Sequence, residues 1–206
     1  RGPSPKLYPN IVTCSPRATT AALVPMIDEI AEKFPAVGWG LKDSYNCLDL
    51  VPHGFTKLLK ATWLWRDASL LEGTHSKDFE WHRIETTREL LRWEQAWSGG
   101  ESIDQSCRLF KPALLSDPGV TFLGAWQSSE LVAGFVVSLS EGVTGLSNLF
   151  STANEAGVWI SAVQTAQLRY PVSPLVGYEY GADLQQAMRA GFAPLHSLAV
   201  WIRSGS

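Results

Sequence analysis

Glu179 has the clearest chemical potential of any residue in this 206-residue chain. It lies in the run Val176-Gly177-Tyr178-Glu179-Tyr180, whose composition is that of a buried strand. Removing a carboxylate from water penalises its charged form, and this moves its pKa toward the range useful for proton transfer. A solvated carboxylate at a strand end is the plainer alternative. Tyr178 and Tyr180 are two apart, so on a strand they share one face while Glu179 points to the other. Tyr180 can act as an acid only if its phenol is tuned from a pKa of about 10; otherwise both tyrosines pack with wetted hydroxyls. Asn148 falls within the strand-like run Thr144–Phe150, on the face of Leu146 and Phe150. A polar residue among apolar ones must find a hydrogen bond, and so marks either a ligand contact or a structural pairing.

Other candidates are weaker. Ser44 and His53 lack the strained Gly-x-Ser-x-Gly elbow of a nucleophile, and helix capping by Asp43 or Ser44 explains the polar turn more simply. His75 and His82 do not have metal-ligand spacing. His196 reads as a surface position on the last strand. No base is close in sequence to Cys47 or Cys107.

These side chains need a frame, and the composition supplies one. Hydrophobic residues make up 45% and charged residues 18%, the profile of a globular chain able to bury a core. The net charge is −3, with no basic stripe, so nothing points to a nucleic-acid partner. The apolar runs are too short to span a bilayer. Three widely spaced cysteines form neither a disulfide framework nor a zinc pattern, which fits a reducing, cytoplasmic setting. The nine tryptophans read mainly as core and sheet packing.

Periodicity predicts a short strand at Ile11–Cys14, then a helix from Thr19 or Thr20 to Lys33 stopped by Phe34-Pro35. A strand at Val37–Lys42 follows, then a brief helix to Leu50 and a strand ending at Arg66. Residues 67–78 read as a linker. Beyond it come a strand at Phe79–Ile84, a helix opened by the capping box Thr86…Glu89 and ended by Gly99-Gly100, and a short helix at Pro112–Leu115. Next are a hairpin (Thr121–Trp126 and Leu131–Ser140) and a strand at Thr144–Phe150. The chain closes with a helix from about Asn154 to Arg169, a strand at Leu175–Glu179, a helix at Asp183–Ala190 and a strand at Pro194–Arg203. An antiparallel meander passing into βαβ crossovers defines an α/β (α+β) fold with a mixed, partly antiparallel sheet flanked by helices.

The chain also resembles itself. Gly54-Phe55 and Gly191-Phe192 each open an apolar strand that closes on an arginine, Arg66 and Arg203, twelve residues after the glycine. Ser15 to Phe34 and Ser151 to Tyr170 are both nineteen residues, and each aromatic is followed by proline. A strand–helix–strand–helix–Gly-Phe–strand unit is expected twice.

The order over 79–206, most specifically Leu175–Arg203 with Ala190-Gly191-Phe192, resembles the GNAT acyltransferase superfamily. Residues 1–70 resemble a partial, degenerate copy of the same fold, which makes the chain similar to pseudo-tandem proteins of that group. The resemblance implies acyl transfer from acetyl-coenzyme A, or another acyl-coenzyme A, to a small-molecule or peptide amine. It also implies that the strand Thr144–Phe150 splays from Leu175–Glu179, so that free backbone groups hold the cofactor's arm. The pyrophosphate would then meet the start of the following helix. The implied cofactor-binding residues are Leu149, Phe150, Ser151, Thr152, Asn154 and Gly157, and the implied catalytic residues are Glu179, Tyr180 and Asn148. Two departures stand out. The loop Ser151-Thr152-Ala153-Asn154-Glu155-Ala156-Gly157 has a single glycine, no basic residue and a glutamate, so its polar residues are either cofactor contacts or helix caps. The family's tyrosine four residues before the Gly-Phe glycine is Ala187, and its asparagine eleven before is Tyr180. The alternative is an inactive binding module of the same fold, taking a small ligand or a protein partner.

Overall fold

The computed structural model describes residues 9–33, 38–68, 79–100, 103, 108–127, 129–152 and 157–204. Asn154, His75 and Cys107 lie outside these. The chain forms two compact units, residues 1–63 with 195–206, and residues 64–194.

The larger unit carries β4 (Trp81–Arg83), α2 (Thr87–Trp97), β5 (Val120–Gln127), β6 (Glu130–Ser140), β7 (Val143–Ser151), α3 (Val158–Arg169), β8 (Leu175–Glu179) and α4 (Gly181–Arg189). Its strands run in the order β8-β7-β6-β5-β4. β4 to β7 pair antiparallel and β7 pairs parallel with β8, so the sheet is mixed as expected. The capping box forms: Thr86 Oγ1 accepts from the Glu89 N–H, and the Glu89 carboxylate accepts from the Thr86 N–H. Residues 112–116 form a 3-10 turn. One sheet face packs Leu123, Phe135, Val137 and Leu146 against α3 and α4. The other packs Phe122 and Val136 against Leu90 and Trp93 of α2.

β7 is the element that matters most. Its register against β6 slips by one residue, since Val136 pairs with Ser147 but Gly134 pairs with Phe150. That slip is a β-bulge, and Asn148 within it has φ 53, a left-handed conformation that asparagine tolerates better than most residues. The bulge corrects the expected alternation. Leu146 and Leu149 pack on the α3 side, whereas Phe150 packs against Trp93 on the α2 side. Leu146 and Phe150 therefore do not share a face.

The smaller unit holds β1 (Ile11–Val12), α1 (Thr20–Lys33), β2 (Trp39–Asp43) and β9 (Ala193–Arg203), with most of β3 (Thr56–Arg66). Strand order here is β1-β2-β9-β3. Thr19 Oγ1 accepts from the Ala22 N–H and opens α1. Val24 and Ile27 of that helix cover Trp39, Leu41, Ala199 and Trp201. The brief helix expected after β2 does not form. The buried Asp43 carboxylate instead gathers the Leu48 N–H (2.8 Å), the Tyr45 N–H and the Thr13 hydroxyl, which folds residues 44–48 into a turn.

The self-similarity has a physical counterpart in each unit. Gly54 (φ 77) and Gly191 (φ 89) adopt left-handed conformations, and each is followed by a buried phenylalanine. Within the larger unit, Arg66 Nε donates to the Ala190 carbonyl, just before Gly191-Phe192. Within the smaller unit, Arg203 Nη1 donates to the His53 carbonyl, just before Gly54-Phe55. Each strand-ending arginine thus closes the turn that begins the other copy's last strand.

Candidate active site

β7 and β8 pair only at their beginnings, Thr144 with Leu175 and Gly145 with Val176. The backbones are still close at Gly177, where a Cβ would stand 2.9 Å from the Leu146 carbonyl oxygen. Beyond it lies the bulge, and residues 147–151 run on without a partner in β8. A strand edge without a partner presents free N–H and C=O groups, which an extended ligand can satisfy.

Beside this edge lies a hollow of about 290 Å3, lined by Leu149, Phe150 and Ser151 of β7, Val158 and Trp159 of α3, and Asp183 of α4. Ser151 Oγ is buried and has no hydrogen-bond partner among the described residues. α3 begins at Gly157 (φ 109) with no side-chain cap. Among the described residues no side chain accepts from its first N–H groups, and the helix dipole places partial positive charge there.

Of the candidates named from the sequence, Leu149, Phe150 and Ser151 line the hollow, whereas Glu179, Tyr180, Asn148 and Thr152 do not. Glu179 ends β8 and is part-buried; burial chiefly, and the nearby Asp183 charge second, push its pKa up to about 7. It has no hydrogen bond or ion pair to any described residue. Tyr180 is the residue before α4, 56% exposed, with no side-chain cap bond. Asn148 donates to the Ser147 hydroxyl at 3.3 Å inside the bulge. Thr152 is exposed, and both its N–H and its hydroxyl donate to the Val132 carbonyl. Leu149, Phe150, Ser151 and Gly157 are gathered at the hollow and the start of α3. Ala187 is buried in the core. No group of three or more His, Cys, Asp or Glu side chains among the described residues is arranged to hold a metal.

Asp183 does not stand out in the sequence, and neither does the contact it makes. Its Oδ1 accepts from Trp159 Nε1 at 3.4 Å, which links the first turns of α4 and α3. The available signal is an acid at the third helical position with no Ser or Thr before the helix to pair with it.

No protein-family model matches the sequence, and no curated protein matches it. Solved structures do match. A functionally unknown conserved protein from Staphylococcus epidermidis superposes with a TM-score of 0.69 at 10% identity, covering 89% of this chain and 79% of that one. A GCN5-related N-acetyltransferase from Kribbella flavida gives 0.63 at 19% identity, covering 95% and 81%. A tandem GNAT protein from the clavulanic acid biosynthesis pathway gives 0.61 at 13%, covering 90% and 70%. The chain has the fold of the GCN5-related N-acetyltransferases.

Proposed function

We propose that this chain is an N-acyltransferase that moves an acetyl or other acyl group from acyl-coenzyme A to a small-molecule or peptide amine. The observation that carries this reading is the opening of β7 away from β8 at the Asn148 bulge, beside a hollow and the start of α3. An extended, amide-bearing arm fits such a place. The peptide groups of residues 147–151 that have no partner in β8 offer hydrogen bonds, Leu149 offers an apolar wall, and Ser151 Oγ is a buried hydroxyl without a partner among the described residues. The N–H groups after Gly157 suit an anion. Asn154 belongs to the same proposed set.

When bound, acyl-coenzyme A supplies an acyl group already activated as a thioester. The chain's own contribution is to position, to exclude water and to move a proton. Glu179, with a pKa near neutrality, takes the proton that the incoming amine must lose. Asn148 holds the bulge that frees the backbone edge. Tyr180, exposed at the start of α4, is the phenol assigned to return a proton to the leaving group. Free Cys14 and Cys47 suit the cytoplasmic setting proposed for the reaction. We assign residues 1–70 as the partial, degenerate repeat and 79–206 as the GNAT-like domain, supported by the repeated Gly-Phe turn and closing arginine.

A second reading, an inactive binding module of the same fold, is favoured by one observation. The described hollow lining contains Asp183 and no basic side chain, which is unfavourable for the cofactor's phosphates. Thiol release from acetyl-coenzyme A, followed with a panel of primary amines, separates the two. Amine-dependent release that disappears in Glu179→Gln supports the transferase; no release above background with any amine supports the module.

A further inference from the structure

The register of a strand decides which face each side chain takes, and a slip of one residue reverses every face beyond it. Without the bulge at Asn148, strict alternation would put Phe150 on the face of Leu146, which packs toward α3. The hollow lies on that side, since Leu149, Val158 and Trp159 both line it and pack in the cluster of Leu146. The bulge instead turns the Phe150 ring to the α2 side, where it meets Trp93 edge to face at 5.1 Å and 81°. A seat awaits it there. Gly134 stands opposite Phe150 in β6, and a Cβ at that position would overlap both the Phe150 ring and Trp93 Nε1. Glycine weakens a strand interior, and here it makes room for a close approach. Trp93 is fully buried and held by other contacts. Its Nε1 donates to the Leu123 carbonyl at 2.8 Å, and Phe110 and Phe122 pack edge to face on its rings.

We propose that Gly134, Trp93 and Phe150 form a register lock, in which Phe150 is the positioning residue that keeps the hollow open. The proposal rests on the hollow being the place of the cofactor's arm. Two registers compete for β7 beyond Ser147. In the bulged one, Asn148 is left-handed (φ 53), the phenyl ring sits in the Gly134 notch, and the hollow of about 290 Å3 stays free. In the straight one, Asn148 relaxes and the ring turns toward α3, into the volume the arm needs. A left-handed asparagine and a broken ladder are unfavourable on their own, so another contact has to hold the bulged register. Burial of Phe150 against a fixed indole, edge to face, is that contact.

Calorimetric titration of the full chain with acetyl-coenzyme A reads the lock in Gly134→Ala, Phe150→Ala and the double variant. The apparent Kd rises in proportion as the open register is depopulated. Filling the notch in Gly134→Ala should drive the ring toward α3 and weaken binding by about tenfold or more. Phe150→Ala leaves no ring to enter the hollow, so its Kd should stay within about threefold of wild type. The double variant should return to within about threefold of Phe150→Ala, because the indole can shift into the space the phenyl ring leaves. If these residues only pack, the double variant binds at least as weakly as Gly134→Ala, and that result would overturn the proposal. So would wild-type affinity in Gly134→Ala, or a loss of about tenfold in Phe150→Ala, which would make the ring a wall of the site. Should Gly134→Ala fail to fold, Trp93→Phe shrinks the seat and carries the same test, a loss of binding that Phe150→Ala reverses. A crystal structure of whichever variant folds separates the lock from the acyl-coenzyme A reading. If the wild type does not bind acetyl-coenzyme A, that reading fails. The lock then stands if the Phe150 ring has moved to the α3 side in the variant, and falls if the ring stays on the α2 side.

Discussion

Two carboxylates at matching places in the repeat show how environment assigns roles to residues. Asp43 ends β2 and Glu179 ends β8. Asp43 is fully buried and saturated by backbone and hydroxyl donors, so it holds a turn together. Glu179 has no such donors, and burial pushes its pKa up to about 7. If it is the base, Glu179→Gln should lower kcat by about 10²- to 10³-fold with little change in KM for acyl-coenzyme A. Wild-type rate should rise with pH through about 7 and then level; a flat profile from pH 5.5 to 8.5 would remove the residue from the mechanism. Stability should show the opposite slope. Because the folded pKa is raised, the contribution of the neutral form is complete below the unfolded carboxylate pKa of about 4.3 and is lost as pH rises through about 7. Glu179→Gln keeps a neutral side chain at every pH, so above pH 7 it should be more stable than wild type by about 1–2 kcal/mol, and equal to it near pH 4. Chemical denaturation at the two pH values checks this. Glu179 is legible in the sequence because a charged residue in an apolar strand is conspicuous. Asp183 is not, because acids are ordinary in a first helical turn and only coordinates show it facing away from the N-terminus.

The site depends, at the level of elements, on how β7 parts from β8. Gly177 allows the last close approach, since a Cβ there would stand 2.9 Å from the Leu146 carbonyl, a backbone atom with little room to move. Gly177→Ala should therefore destabilise the protein by about 1–3 kcal/mol and weaken cofactor binding. An unchanged melting temperature would mean that the strands are not held as described. Asn148 tests the bulge itself. Asn148→Val places a β-branched residue at φ 53 and should cost about 1–2 kcal/mol, whereas Asn148→Gly should be tolerated. Equal stability of the two variants would count against a left-handed conformation there. The strands and helices of the larger unit are legible from periodicity, capping and turn residues, with ends shifted by a few residues. The bulge is not, because one extra residue in a strand leaves no compositional trace. It displaces Phe150 to the opposite face from Leu146. Likewise Asp43 reads as a helix cap, but tertiary hydrogen bonds from Thr13 and Leu48 make it the centre of a turn.

For the whole molecule, the repeat visible in the sequence marks where two arginines act. Arg66 is buried and donates to the Ala190 carbonyl, while Arg203 is more exposed and bonds Asp28 and the His53 carbonyl. Removing the buried guanidinium strands a carbonyl, so Arg66→Ala should cost about 2–3 kcal/mol. Arg203→Ala should cost about 1 kcal/mol, because exposed ion pairs contribute little. Calorimetric melting should rank them in that order, and the reverse order would mean the two turns are not closed in the way described. What the spacing of Gly-Phe and Arg could not reveal is that each arginine closes the turn of the other copy, since sequence separation carries no information about which copy a strand joins. The central claim is that the edge freed between β7 and β8 holds an acyl-coenzyme A. It is tested most directly by calorimetric titration of the full chain with acetyl-coenzyme A. One site per chain with a Kd of about 1–100 μM, lost or weakened at least tenfold when Ser151 is replaced by a bulky residue such as Leu, is the predicted result. No heat of binding at millimolar cofactor would contradict it.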